Sequence, residues 1–247
     1  MVNLNVLTSK DLAGVTATIL AGGLGTRLRS VVVDRPKTLA KIGDRPFLTY
    51  LLEKLAATEI KNVVLCIGYL GEQIETIFGN SYKSLNLFYS QETSPLGTGG
   101  ALRLALPLVK SDSILVMNGD SFCDASLSDF FSDYCQQKAE VSLLLTQVSD
   151  TSRYGQVKLD TNGKLISFAE KANSSGSGWI NAGIYLIKRQ KVQEIPENRF
   201  VSLEKEMFPT WIESGIYGYQ ASGRFIDIGT PESYAQAENF FAAHKSE

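Results

Sequence analysis

The chain has 247 residues and is 44% hydrophobic, which is enough for a sizeable core in one large α/β domain or two small ones. Its 24 Lys and Arg residues nearly balance its 26 Asp and Glu residues, and the net charge of −2 argues against nucleic acid or an acidic membrane as a partner. Three cysteines without a C-x-x-C pair, no leader-like N-terminus and no long apolar run predict a cytoplasmic protein without a membrane span.

The first predicted strand covers residues 15–21 and runs into a glycine-rich loop. The loop carries Gly22, Gly23 and Gly25, and the basic residues Arg27 and Lys37 follow it. Glycine lets backbone N–H groups approach a ligand closely, and such groups converge well on phosphate oxygens. With two positive side chains nearby, the pattern predicts a phosphate-binding loop. The alternative is a plain strand-to-helix turn in which the glycines serve packing only.

Two common glycine motifs are excluded at this loop. The dinucleotide fingerprint requires a third glycine where Leu28 stands, so a dinucleotide-dependent oxidoreductase is a weak alternative. The P-loop requires Gly-Lys followed by Ser or Thr, whereas Thr26 and Arg27 follow Gly25 here.

Strands and helices alternate up to about residue 150. Apolar periodicity predicts helices at 45–55, 72–78, 101–108 and 127–138, and strands at 63–67, 85–89, 114–117 and 141–148. A glycine-rich loop is predicted at 91–100, before the third of these helices. This alternation is typical of a mainly parallel sheet with helices on both faces.

The pattern changes beyond residue 150. A hairpin is predicted over 155–168, a mobile loop over 173–178, strands over 179–187, 216–220 and 224–228, a helix over 203–212 and a closing helix over 231–241. We therefore predict one compact α/β domain with a Rossmann-like mixed, mainly parallel sheet flanked by helices. We divide it into a first, Rossmann-like half at residues 15–150 and a second half at residues 151–247. No hexapeptide repeat follows, so no C-terminal β-helix is expected.

The glycine loop, the 91–100 loop and Asp120 all follow predicted strands. Open parallel sheets bind ligands at the carboxyl ends of their strands, so we expect these three segments to meet at one pocket.

The segment 21–28 (AGGLGTRL) together with Pro36 and Lys37 resembles the signature of the sugar-phosphate nucleotidyltransferases. These enzymes join a sugar 1-phosphate to a nucleoside triphosphate. The resemblance implies that Arg27 stabilises the triphosphate and the departing pyrophosphate, that Lys37 holds phosphate near the α-position, and that Asp120 is catalytic. It also implies Mg²⁺ as the cofactor, bound by Asp120 and Asp227. Further implied nucleotide contacts are Leu20, Ala21, Gly22, Gly23, Gly25, Thr26, Gln91, Leu96, Gly97, Thr98, Gly99 and Asn118.

The resemblance also implies sugar-phosphate contacts in the second half, at Gly155, Glu170, Lys171, Asn181 and Gly183. Ala172 follows where the family often has proline. A solvated Glu–Lys pair is the alternative at 170–171, a helix cap or Asx turn is the alternative for Asp120, and an edge-strand charge is the alternative for Asp227. The single histidine, His244, lies in the tail, so neither a histidine base nor a histidine metal site is expected.

Both proposed substrates are anions, so the reaction has to bring like charges together. Two unit charges 4 Å apart repel by about 4 kcal/mol at an effective dielectric constant of 20. Catalysis by these residues would consist mainly of positioning and charge neutralisation.

The segment 202–209 (SLEKEMFP), the ending 225–234 (FIDIGTPESY) and the short length are most similar to heptose 1-phosphate guanylyltransferases. We therefore expect GTP and a heptose 1-phosphate as partners. The alternatives are a mannose 1-phosphate guanylyltransferase, a UTP- or dTTP-dependent relative, and a non-catalytic module that senses nucleotide or sugar phosphate. A monomer and a homo-oligomer both stay open.

Overall fold

The computed structural model describes residues 11–170 and 176–243, and every structural statement below concerns those residues. Residues 173–175 of the predicted loop at 173–178 lie outside them. The strands are β1 (Thr16–Leu20), β2 (Lys41–Ile42), β3 (Arg45–Pro46), β4 (Asn62–Ile67), β5 (Ser81–Tyr82), β6 (Leu85–Gln91), β7 (Ser113–Asn118), β8 (Ser121–Cys123), β9 (Val141–Val148), β10 (Gly155–Leu159), β11 (Leu165–Glu170), β12 (Gly178–Lys188), β13 (Ile216–Ala221) and β14 (Phe225–Asp227).

The α-helices are α1 (Phe47–Ala56), α2 (Gly71–Phe78), α3 (Gly97–Ala105), α4 (Leu127–Gln137), α5 (Arg189–Gln193), α6 (Phe208–Ile212) and α7 (Pro231–Ala243). Short 3₁₀ turns occur at Leu12–Gly14, Thr26–Leu28, Lys37–Leu39 and Leu106–Leu108, and a π-helical turn covers Leu203–Met207. Before α4, Ser126 is the N-cap and accepts the backbone N–H of Asp129.

The main sheet is mixed, with a parallel centre in the order β6–β4–β1–β7. The long strand β12 adds antiparallel to β7 and carries β9, so the predicted nucleotide and sugar halves share one continuous sheet. The order places β1, the first strand, between β4 and β7. From β1 the chain first adds β4 and β6 on one side and later adds β7 on the other side. Ligands bind at the point where the strand order switches sides in this way.

The central strands are covered on both faces, which explains their unbroken apolar runs. In β4, Val63 and Leu65 belong to the core beneath α1 and α4, whereas Val64 and Cys66 belong to the core beneath α3 and α6. Cys66 is buried and forms no disulfide, which suits an inert core cysteine.

The predicted boundary of α3 is wrong by one turn. The helix begins at Gly97 instead of residue 101, because the Val201 carbonyl accepts the backbone N–H groups of Gly99 and Gly100 at 2.9 and 3.2 Å. A Cβ on Gly97 would stand 2.5 Å from that carbonyl oxygen, so glycine allows the close approach. Glycines that suggested a loop are therefore the first turn of a helix.

Among residues 11–170 and 176–243, none of the helices combines the length and apolar character needed to cross a membrane.

Candidate active site

The carboxyl ends of β1 and β7 open onto a cavity of about 430 Å³, within the usual range for small-molecule sites. Most of the residues that the resemblance assigned to the nucleotide and to catalysis line it: Leu20, Ala21, Gly22, Gly23, Gly25, Thr26, Arg27, Lys37, Gly97, Thr98, Asn118 and Asp120. The structure therefore brings the glycine loop, the second loop and Asp120 together at one pocket, as predicted.

Glycines let the loops after β1 and β7 pack backbone to backbone. The Gly119 N–H donates to the Leu20 carbonyl at 2.9 Å, and a Cβ on Gly119 would come within 2.7 Å of that oxygen. Gly25 has φ = 60°, the left-handed region that favours glycine, and turns the chain toward Arg27. The hydrogen bond from Gly119 thus holds the start of the first loop, and the backbone conformation of Gly25 sets the direction in which the loop ends.

Lys37 and Asp120 form an ion pair at the cavity wall. Lys37 Nζ donates to Asp120 Oδ2 at 2.7 Å, with side-chain exposures of 10% for the lysine and 40% for the aspartate. Burial would raise the pKa of Asp120, but the attraction and hydrogen bond of Lys37, aided by Arg27, outweigh it and hold the pKa below its usual value. Asp120 is therefore a carboxylate at neutral pH.

Asp227 lies near Asp120 in the structure, although the two residues are far apart in the sequence. Strand β14 pairs antiparallel with β8, which sets Asp227 opposite Ser121, and the Ile228 N–H donates to the Asp120 carbonyl at 2.8 Å. Two residues beyond Asp227, Gly229 lines the cavity.

The position that a Cβ on Gly229 would take shows how closely the charged side chains approach one another. A Cβ built on Gly229 would lie 2.5 Å from Asp227 Oδ1, 3.4 Å from Arg27 Nη2 and 3.5 Å from Lys37 Nζ. Two cations and the Asp227 carboxylate therefore meet at this point, and Asp120 joins the cluster through its ion pair with Lys37.

Arg153 and Tyr154 hold the outer side of Asp227. The Tyr154 hydroxyl donates to Asp227 Oδ2 at 2.7 Å, and Arg153 Nη2 lies 3.3 Å from the same oxygen. Burial, together with the bond to Asp227, raises the pKa of Tyr154 far above its ordinary value, so it is a hydroxyl donor. Sequence reasoning missed both residues, although they directly precede the predicted contact Gly155.

Asp120, which lines the cavity, and Asp227, which is not among the lining residues, provide the hard oxygen donors that Mg²⁺ prefers. Within the described ranges, no group of three or more His, Cys, Asp and Glu side chains is arranged to hold a metal. The donor set therefore fits a magnesium ion that takes most of its ligands from phosphate and water, which is its common mode in nucleotide enzymes.

The predicted base-contacting residues are only partly at the cavity. Gln91 is exposed at the end of β6, and neither it nor Leu96 nor Gly99 lines the cavity. The Gly99 N–H is already bonded to Val201. The next residue, Glu92, does line the cavity. Its carboxylate accepts the Leu96 N–H at 3.0 Å, and a Cβ on Gly22 would come within 2.9 Å of its Oε1.

Of the predicted sugar contacts, Gly183 packs against Asn118, a residue of the cavity wall. Gly183 has φ = 74°, and a Cβ there would come within 2.8 Å of the Asn118 amide nitrogen. Asn181 accepts the Gly183 N–H at 2.9 Å. Gly155 packs against the Phe168 ring and is paired with Glu170 in the β10–β11 hairpin. The Glu170 side chain and all of Lys171 lie outside the described part of the chain.

The family model for nucleotidyl transferases matches residues 16–244. The chain belongs to the nucleotidyl transferase family. Among curated relatives, a D-glycero-alpha-D-manno-heptose 1-phosphate guanylyltransferase of Campylobacter jejuni is 39% identical over 88% of this chain and 96% of its own length. A mannose-1-phosphate guanylyltransferase of Mycobacterium tuberculosis is 36% identical over 90% of this chain, which spans only 63% of that relative.

One solved structure is similar to this chain over nearly its whole length. The crystal structure of HddC from Yersinia pseudotuberculosis complexed with GMP-PN has a TM-score of 0.81 and 32% identity, covering 92% of this chain and 99% of that chain.

Proposed function

We propose that this protein transfers a guanylyl group from GTP to a sugar 1-phosphate, with a heptose 1-phosphate as the favoured acceptor and pyrophosphate as the second product. The observation that carries the proposal is the convergence of Arg27, Lys37 and Asp227 on one point beside Gly229, with Asp120 held to the same lysine. The heptose 1-phosphate guanylyltransferase of Campylobacter jejuni, matched over almost its full length, supports the choice of substrates.

The charged groups suit an in-line displacement at the α-phosphorus. The planar guanidinium of Arg27 can hold two phosphate oxygens, and Lys37 supplies a compact charge that Asp120 keeps in place. The sugar phosphate oxygen attacks as pyrophosphate departs, and the two cations offset the repulsion between the anions. Asp120 and Asp227 would hold Mg²⁺, and the bound ion would supply further positive charge to the phosphates.

Glu92 supports guanine over the other bases. A carboxylate only accepts hydrogen bonds, and the edge of guanine offers adjacent N1–H and N2–H donors, whereas uracil and thymine offer a single ring N–H. The glycines at 22 and 68 leave room for this carboxylate, since a Cβ on either would come within 2.9 Å of Oε1. Base selection by Glu92 takes the place of the contact expected from Gln91.

ITP tests this assignment because it lacks only the 2-amino group of guanine. Wild-type protein should prefer GTP over ITP, and Glu92→Gln should reduce that preference by about tenfold, the value of a bond between a neutral donor and a charged acceptor. An unchanged preference in Glu92→Gln would remove Glu92 from base selection.

The reaction is tested by pyrophosphate release with GTP, UTP and dTTP against heptose, mannose and glucose 1-phosphates. GTP with a heptose 1-phosphate should give the highest kcat/KM. Turnover with UTP or dTTP alone would overturn guanylyl transfer. Binding of nucleotide without turnover by any pair would instead favour a sensing module.

A mannose 1-phosphate acceptor is the second candidate, favoured by the mycobacterial relative at 36% identity. The same assay separates the two, since the acceptor with the higher kcat/KM at fixed GTP is the substrate. We further assign the protein to the cytoplasm, where its three free cysteines stay reduced.

A further inference from the structure

Glu204 binds three hydroxyl groups from three separate parts of the chain. Its Oε2 accepts from Thr98 at 2.6 Å and from Ser202 at 3.0 Å, and its Oε1 accepts from Tyr185 at 3.2 Å. It lies in the π-helical turn Leu203–Met207, a form of helix that is frequent at functional sites. In the described part of the chain, no cation pairs with this carboxylate.

These bonds orient a residue of the nucleotide cavity. Thr98 lines that cavity at the first turn of α3. Its hydroxyl gives its proton to Glu204 and accepts the Leu203 N–H at 2.9 Å, so the rotation of the side chain is set from both sides. A bond from a hydroxyl to a carboxylate is stronger than one between neutral groups, so Glu204 dominates this arrangement.

The same carboxylate orients a residue on the predicted sugar strand. Tyr185 is fully buried, and burial together with the charge of Glu204 raises its pKa far above the ordinary value, so it remains a donor to Glu204. Its oxygen then accepts from Asn181 Nδ2 at 2.8 Å, while Asn181 Oδ1 accepts the Gly183 N–H. The amide of Asn181 is thereby held in one orientation.

We propose that Glu204 is a positioning residue for both substrates, because one carboxylate orients Thr98 in the nucleotide cavity and, through Tyr185, Asn181 on the sugar side. This rests on the proposed function. The proposal adds that both substrate sites depend on the Glu204 carboxylate. A substitution at Glu204 therefore weakens the binding of both substrates, although Glu204 contacts neither of them.

A purely structural role for Glu204 would be to hold the segment 199–204 against α3. That segment is already held by Val201, which donates to the Leu96 carbonyl at 2.8 Å and accepts from Gly99 and Gly100. Glu206 provides a matched control, since it is on the same turn, accepts the Ser202 N–H at 3.0 Å and pairs with Arg199 rather than with Thr98 or Tyr185.

The test compares Glu204→Gln with Glu206→Gln in steady-state kinetics. Glutamine keeps the size of the side chain but replaces one acceptor oxygen by a donor. Glu204→Gln should raise KM about tenfold for both GTP and the sugar 1-phosphate with a smaller change in kcat, and Glu206→Gln should leave both near wild type. Thr98→Val should raise only the KM for GTP, and Tyr185→Phe only that for the sugar phosphate.

Equal effects of the two Gln variants, or a KM change for one substrate only in Glu204→Gln, would overturn the proposal. Absence of turnover in the wild type would instead refute the proposed function. Glu204 is then judged by the NMR signal of the Asn181 side-chain amide, assigned with Asn181→Asp. That signal should shift in Glu204→Gln and not in Glu206→Gln, and an unmoved signal in Glu204→Gln overturns the positioning role.

Discussion

Replacing Gly229 by alanine is the smallest change that reaches the centre of the charged cluster. The added methyl carbon would stand 2.5 Å from Asp227 Oδ1, which is closer than such atoms can approach, so the carboxylate has to move. The distances to Arg27 Nη2 and Lys37 Nζ, 3.4 and 3.5 Å, are near ordinary contacts and do not displace these cations. Gly229→Ala is therefore expected to displace the Asp227 carboxylate and to leave both cations in place.

The cost can be worked out from the bond that this carboxylate loses. Asp227 Oδ1 now accepts the Gly229 N–H at 2.8 Å, and a hydrogen bond to a charged group contributes about 1.5–3 kcal/mol. If the displaced carboxylate no longer serves the transition state, kcat/KM should fall by about 10- to 100-fold. The backbone of Gly229 is outside the left-handed region, so alanine brings no backbone strain and the melting temperature should move by only a few degrees.

The assay is pyrophosphate release with GTP and the preferred sugar 1-phosphate, alongside thermal unfolding of each variant. Gly14→Ala is the matched control, because no atom lies within 4 Å of a Cβ at that position. Wild-type kcat/KM in Gly229→Ala would refute the argument that this point is where the phosphates are handled. An equal loss in Gly14→Ala would show that the effect is not local.

Further changes test individual groups of the site. Asp120→Asn removes the charge that holds Lys37 and should lower kcat by about 100-fold, with a lower Tm because Lys37 loses its ion-pair partner, so full activity would contradict its role. Burial raises the pKa of Glu92 above its ordinary value. The wild type should therefore be more stable than Glu92→Gln below pH 4.5, and this added stability should disappear as the pH rises through the raised pKa. A pH-independent difference in unfolding free energy between the two proteins would contradict this. A thiol reagent should label exposed Cys135 in the folded protein and leave buried Cys66 unlabelled until unfolding, as mass spectrometry can show.

The parallel centre of the sheet could be predicted because its strands are apolar on both faces and alternate with helices. The glycine loop and Asp120 could then be joined, since strand ends share an edge. Glu92 could not be told from Gln91 by motif alone, because the choice depends on which side of β6 faces outward, and Gln91 is on the exposed side.

Arg153, Tyr154 and Glu204 were not predicted because their bonds join segments that are distant in sequence. Glu204 meets Thr98 and Tyr185 only after α3 and β12 have packed on the same core. Local periodicity carries no signal for such contacts. The start of α3 was missed for a related reason, since the acceptor that satisfies its glycine N–H groups is Val201, far along the chain.

The short ladder between β8 and β14 has a consequence for how the protein matures on the ribosome. The phosphate loop, Lys37 and Asp120 leave the ribosome well before Asp227, which takes its place opposite Ser121 only when β14 has formed. A nascent chain that ends before β14 also lacks Gly229 of the cavity wall. Because the proposed chemistry uses both acids, we expect pyrophosphate release only from chains in which β14 has paired with β8.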